Sequence, residues 1–168
     1  MVGKVYWITG LSGAGKTTIG TLVYKYIKER KDNVVLLDGD QLRTVFKSKE
    51  YTNEGRKALG YKYSELCKML AGQGIDVVIC TIAMYDELRE WNRQNIEKYK
   101  EVYLKVDINE LIRRDQKGLY SKALRQEIDN VMGINLEFEE PKHPDLVLDN
   151  SGKYTPENLA EIIIRELI

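Results

Sequence analysis

Cysteine, histidine and proline are scarce in this chain, which has two cysteines, one histidine and three prolines among 168 residues. Cys67 and Cys80 fit neither a zinc spacing nor a CxxC pattern, which excludes a disulfide scaffold and a cysteine-built metal site. They read as buried thiols in a reducing cytoplasm. His143, between Lys142 and Pro144, reads as a loop residue and not as a catalyst. Net charge is missing too: 26 Lys and Arg balance 26 Asp and Glu, which argues against a dedicated nucleic-acid binder but leaves room for a local positive site. No apolar run approaches the roughly 18 residues of a membrane span. The opening residues MVGKVYWITG lack the longer apolar region and cleavage site of a signal peptide, so a cytoplasmic protein without a membrane partner is expected. There is no internal repeat and no low-complexity linker, and the length fits one domain over 1–168.

What is present is an alternation of apolar runs and helical patterns. KVYWIT (4–9), NVVLLD (33–38), IDVVIC (75–80), KEVYLKVD (100–107) and DLVLDN (145–150) read as strands. Between them, 17–30 places Ile19, Leu22, Val23, Tyr26 and Ile27 on one helix face. A short helix starts near Gln41; others span 53–74, 85–99 and 108–115, with Gly72 and Gly74 as stop signals for the second. The last, 155–167, has Thr155 as N-cap and Pro156 at the first helical position. Trp7 reads as core, and Trp91 as core or interface.

Continuous apolar strands alternating with helices predict an α/β fold: a five-stranded parallel sheet flanked by helices on both faces. Ligands of such sheets sit at the carboxyl ends of the strands, here 10–18, 38–43, 81–86 and 149–153. The polar stretch 116–144 has no clear strand and is long for a connection, so it is expected to act as a lid.

The first of those positions carries the most specific pattern. Gly10-Leu-Ser-Gly13-Ala14-Gly15-Lys16-Thr17, followed by Thr18, is a P-loop sequence lying between a predicted strand and a predicted helix. Its glycines let backbone N–H groups turn inward, and with the helix N-terminus they form an anion cradle. Lys16 supplies positive charge to the outer phosphates, and the Thr17 hydroxyl is placed to ligate Mg²⁺. An ordinary glycine turn would leave an unpaired lysine unexplained. LDGD (37–40) ends the second strand. Asp38 and Asp40 there suit Mg²⁺ coordination through water or acceptance of a substrate proton, with a plain turn and helix cap as the alternative. RRDQKGLYSKALR (113–125) sets Arg113, Arg114, Lys117, Lys122 and Arg125 against Asp115 alone. It reads as a basic lid over phosphates or as a solvated charged face; the break at Gly118 favours the lid.

Taken together, GLSGAGKTT (10–18), LDGDQLR (37–43), RDQKGLYSKAL (114–124), MGI (132–134) and EEPKHPDLVLDN (139–150) resemble the adenylylsulfate kinases (adenosine 5′-phosphosulfate kinases), P-loop enzymes, nearly end to end. In that family ATP phosphorylates the ribose 3′-hydroxyl of a sulfonucleotide. The resemblance implies ATP and Mg²⁺ as cofactors and a small-molecule nucleotide as acceptor, and it is compatible with a homodimer. It implies Asp40 as the proton acceptor, with Lys16 and Asp38 completing the catalytic set and Thr17 and Asp38 at the metal. Arg114 falls on the ATP side with the P-loop, and Asn150 and Gly152 by the ATP adenine. Arg43, Tyr51, Arg56, Ile82, Lys117, Leu119 and Val131 fall on the acceptor side.

The departures lie on that acceptor side. In YTNEGRKALGYK (51–62), Arg56 matches the family, but Leu59 stands for an acceptor-binding Asn, and Tyr61 and Lys62 replace two arginines. IAMY (82–85) replaces an I-S-P-Y stretch, and Val131 stands where an aromatic stacks on the acceptor adenine. Losing stacking and hydrogen-bonding partners weakens recognition of that nucleotide. Relatives of the family phosphorylate other nucleotides, one of them cytidine diphosphoramidate in bacterial capsule synthesis. A cytidine diphosphate derivative is therefore the expected acceptor, with adenosine 5′-phosphosulfate as the alternative. Two other classes fit less well. A GTPase-like switch lacks an N-K-x-D guanine motif, and a catalytically dead binding subunit would not need intact Lys16, Thr17, Asp38 and Asp40.

Overall fold

Strands that are apolar on both sides need cover on both sides, and the chain supplies it with helical crossovers. The computed structural model describes residues 1–168, the side chain of Gln116 excepted. Five strands, β1 (Val5–Thr9), β2 (Val34–Asp38), β3 (Asp76–Thr81), β4 (Tyr99–Lys105) and β5 (Leu146–Asp149), form an all-parallel sheet in the order β2-β3-β1-β4-β5. β1 and β3, at the centre, are buried at every position. Edge strand β5 instead exposes Val147 and Asp149 while burying Leu148.

Helix α1 (Lys16–Lys28) packs with α7 (Pro156–Leu167) on one face, and α3 (Asn53–Gly72) with α4 (Asp86–Asn95) on the other. Helices α2 (Gly39–Val45), α5 (Ile108–Arg114) and α6 (Leu119–Leu124) lie at or beyond the carboxyl ends of the strands they follow. Gly20 lets α1 lie directly on the sheet: a Cβ there would overlap the Cys80 sulfur. Cys67 and Cys80 are free and buried, as the sequence predicts. Trp7 is fully buried and tilts against Tyr99 at 6.3 Å. Trp91 is half-buried and meets Tyr61 edge-on at 6.2 Å, joining α4 to α3. His143 is exposed in a turn.

The elements agree with the sequence reading in kind and order, with α6 as an addition, and shift at some ends. The helix expected over 85–99 stops at Asn95, because Ile96 is extended (φ −110°, ψ 108°) and buries its side chain. Strand β4 then begins at Tyr99, which pairs with Val5. Helix α2 starts at Gly39, before Gln41, because the Asp38 carboxylate caps it by accepting from the amides of Asp40 and Gln41. The 116–144 segment is strand-free apart from one bridge, Met132 to Leu136, and carries α6. It lies against the body of the molecule, with Tyr120, Ala123, Val131 and Met132 buried.

Helix α7 begins with a full capping box: the Thr155 side chain accepts from the Asn158 amide, and the Asn158 side chain accepts from the Thr155 amide. Thr155→Ala is expected to cost about 1 kcal/mol and to lower Tm by about 2–4 °C, readable by calorimetry, without changing nucleotide affinity.

Candidate active site

The turn after β1 has to aim its N–H groups inward, and its glycines take the backbone where other residues are strained. Gly13 and Gly15 have φ of 80° and 91°, and Gly15 sits at the N-cap of α1 with no side chain to cap it. The first-turn amides of a 13-residue helix therefore stay available to an anion. The carbonyls of the turn are bonded from Lys16 within it and from more distant parts of the chain. Leu11 O accepts from Lys16 Nζ (2.7 Å), Ser12 O from the Tyr120 hydroxyl (2.6 Å), and Gly13 O from Arg114 Nη1 (3.4 Å). Ala14 O accepts from Asn150 Nδ2 (2.8 Å), and Lys16 O from the Cys80 thiol (3.2 Å).

Above this turn opens a cavity of about 820 Å³. One half is lined by Ser12, Gly13, Gly15, Lys16, Thr17 and Thr18, with Asp38 and Asp40 alongside. Thr17 Oγ1 donates to Asp38 Oδ2 at 2.6 Å. Lys117, at φ 63° just before Gly118 at φ 64°, reaches over the cavity to Asp40 Oδ2 at 3.1 Å. The other half is lined by Arg43, Tyr51, Arg56, Leu59, Ile82, Ala83, Leu119 and Val131. Arg43 Nη1 donates to Glu50 O (2.7 Å), and its guanidinium lies 4.3 Å from the Tyr51 ring centre. Arg56 donates to Tyr51 O (2.9 Å) and to Asn130 O (2.7 Å), stapling α3 to the 116–144 segment. Both arginines spend some donors on carbonyls and keep their charge for a ligand.

The residues singled out from sequence thus converge, with four placed behind or beside the cavity. Ala14 is buried in the wall of the turn. Arg114 and Asn150 hold the turn from outside, and Arg114 also donates to Asn150 O at 2.7 Å. Gly152 (φ 101°) stands in an exposed turn, where a Cβ would meet nothing within 4 Å. The basic stretch delivers less charge than its composition suggests. Arg113 and Arg114 pair with Glu110, and Arg125 pairs with Glu127, acids just outside that window. Lys117 is the residue of the five that lines the cavity. Lys49 and Tyr63, outside every motif singled out above, also line it, together with Tyr85 at the end of the IAMY stretch. Tyr63 follows Arg56 and Leu59 on one face of α3 and donates its hydroxyl to Gly39 O (2.9 Å), so helical spacing could have found it.

Lys16 is the most perturbed cation: burial, opposed by Cys80, Asp40 and Asp38, lowers its pKa to about 8. An incoming polyanion would restore the charge.

One half of the cavity suits a nucleotide's phosphates and the other has room for a second molecule; a P-loop kinase is the class these halves define. The chain belongs to the adenylylsulphate kinase family, whose model matches residues 2–149. It is 44% identical over 163 residues to the cytidine diphosphoramidate kinase of Campylobacter jejuni, covering 97% of this chain and 95% of that one. It is 36% identical over 167 residues to a probable adenylyl-sulfate kinase of Pyrococcus abyssi, covering 99% and 95%. The Mycobacterium tuberculosis APS kinase CysC, solved in complex with AMPPNP and APS, superposes with a TM-score of 0.91 at 31% identity, covering 99% of this chain and 98% of that one. The protein is accordingly a phosphotransferase of the kinase type with a hydroxyl acceptor and nucleotide substrates.

Two outcomes follow from this geometry. At pH 8.5, ATP binding should take up roughly 0.7 proton as Lys16 is recharged, measured by titration calorimetry in two buffers of different ionisation enthalpy. Zero uptake would refute the assignment. Tyr120→Phe removes one bond to the turn and leaves the Ser12 carbonyl without that donor, so it should raise the KM for ATP by about 3–10-fold and lower Tm by roughly 2–4 °C.

Proposed function

We propose that this protein transfers the γ-phosphoryl group of ATP to the ribose 3′-hydroxyl of a nucleotide, and that the nucleotide is a cytidine diphosphate derivative such as cytidine diphosphoramidate. The observation that carries the acceptor reading is the far wall of the cavity. Leu59 and Val131 are buried there at 3% exposure each, side chains that neither stack on a purine nor hydrogen-bond one. The 44% identity to a cytidine diphosphoramidate kinase supports the same acceptor. Adenosine 5′-phosphosulfate is the second reading, favoured by the close superposition on an enzyme solved with APS.

In this reading the P-loop amides and Lys16 hold the β- and γ-phosphates. Arg43 and Arg56 hold the acceptor's phosphate-linked group through charge-assisted bonds. Asp40 takes the proton from the attacking hydroxyl. Its present partner, Lys117, is a neighbour that turns to the γ-phosphoryl oxygens once these arrive and leaves Asp40 free to accept. Thr17 and Asp38 fit a magnesium ion: a hydroxyl and a carboxylate oxygen 2.6 Å apart are hard donors of the kind Mg²⁺ takes alongside phosphate and water. When bound, the ion would neutralise charge on the phosphates. One kinase domain spans 1–168, with 116–144 as its lid; the reading is compatible with a cytoplasmic homodimer. No helix among the described residues is long and apolar enough to cross a membrane.

Asp40→Asn should lower kcat by about 10²–10⁴-fold while ATP affinity stays within about threefold. Wild-type-like turnover in that variant would end the assignment of Asp40. ADP release measured with cytidine diphosphoramidate and with adenosine 5′-phosphosulfate decides the acceptor: turnover of the sulfonucleotide alone would reverse the preference stated here.

A further inference from the structure

A buried charge cluster lies beyond the cavity, under α4, and the reaction as described makes no use of it. Arg89 is 4% exposed and Glu101, on β4, is 1% exposed. Burying two such groups is costly unless the surroundings bond them well, so the cluster calls for an explanation. Its bonds point one way. Arg89 Nη2 donates to Asp86 Oδ1 (2.5 Å) and to the carbonyl of Glu139 (2.6 Å). The Glu139 side chain accepts from the Asp86 amide (2.8 Å), and the Glu139 amide donates to Met84 O (3.1 Å). Lys142 closes on Asp86 Oδ2 at 2.7 Å, and Arg93 bonds both Glu101 and the carbonyl of His143.

These contacts join two segments. One is the loop from β3 to α4, whose Ile82, Ala83 and Tyr85 line the cavity. Ala83 holds a positive φ of 31°, a conformation that needs outside support. The other is the limb 139–145, through which the lid segment returns to β5. The lid's other end is held differently: Arg114 bonds it to the P-loop turn. Each end of the lid is thus fastened to a different half of the cavity.

We propose that Arg89 is a positioning residue for the acceptor half of the site. It touches no part of the cavity; it fixes the loop 82–86 against the limb 139–145, so that the acceptor wall and the returning lid keep one spacing. The Asp86 carboxylate is the adjustable partner between Arg89 and Lys142, and Glu101 holds the guanidinium from behind, with Nε 3.9 Å from Oε1. This inference rests on the kinase reading above.

The test is steady-state kinetics of the full chain, varying ATP and then each of cytidine diphosphoramidate and adenosine 5′-phosphosulfate. Amide hydrogen exchange at Asp86 and Glu139 is measured beside it. Arg89→Met should raise the acceptor KM about tenfold and leave the ATP KM within about twofold, with faster exchange at those two amides; Arg89→Lys should recover part of the loss. Glu139→Ala removes only the link to the Asp86 amide at an exposed residue. It should fold in any case and give the same split at about threefold. An unchanged acceptor KM in either folded variant overturns the proposal. So does a parallel rise in both KM values with a lowered Tm, the mark of general destabilisation. If the wild-type protein turns over neither nucleotide, the kinase reading fails instead; the clamp is then judged by exchange alone, and unchanged exchange in Glu139→Ala refutes it.

Discussion

The direction of the peptide groups between Leu11 and Lys16 is the constraint on which the rest depends. A phosphate cradle needs N–H groups turned inward, and a planar peptide that turns its N–H in turns its carbonyl out. Those carbonyls are partly or wholly buried, where an unpaired one is costly. Each finds a donor, and the donors come from separate parts of the chain: Lys16 and Cys80, Tyr120 of α6, Arg114 of α5, and Asn150 beyond β5. The turn is therefore held by the lid segment, the sheet and the chain's last crossover together. Displacing any of these elements disturbs the cradle.

The cations around the cavity meet the opposite problem. Lys16, Arg43, Arg56 and Lys117 line one cavity, and like charges gathered there repel. Their placement is stabilised by backbone carbonyls, by the Tyr51 ring and by the carboxylate of Asp40. Such cations are pre-oriented without being neutralised, and an anionic ligand relieves the strain among them. The depressed pKa of Lys16 has burial as its main cause, with the Lys117 charge a minor one, since burial disfavours its charge until phosphates replace the lost solvation. In the proposed reading, specificity for the acceptor rests on different residues. Leu59, Ala83 and Val131 carry no charge and decide shape rather than affinity for phosphate.

Much of this was legible in the chain itself. The P-loop sequence between a strand and a helix carries its own mechanism, because the left-handed conformations at Gly13 and Gly15 and the charge at Lys16 are local requirements. The five apolar runs fix a parallel sheet because strands buried on both faces show no alternation, and Asp38 and Asp40 then fall at a strand's carboxyl end. The capping box at Thr155 is local for the same reason. Arg43, Tyr51, Arg56 and Val131 were reached through family resemblance, and no spacing rule would have gathered them.

Tertiary structure alone decided what depends on distance through space. Three of the cations of 113–125 pair with Glu110 and Glu127, acids that a reading of that window alone does not include. Asn150 turns out to hold the Ala14 carbonyl across 136 residues, and Arg56 holds Asn130 across 74. The ending of α4 at Asn95 followed from the burial of Ile96 and Tyr99, a packing effect that helix periodicity cannot register. Sequence determines what each short segment must do with its own backbone. Side-chain partners, and with them the wall and the support of the site, are set by which segments the fold brings together.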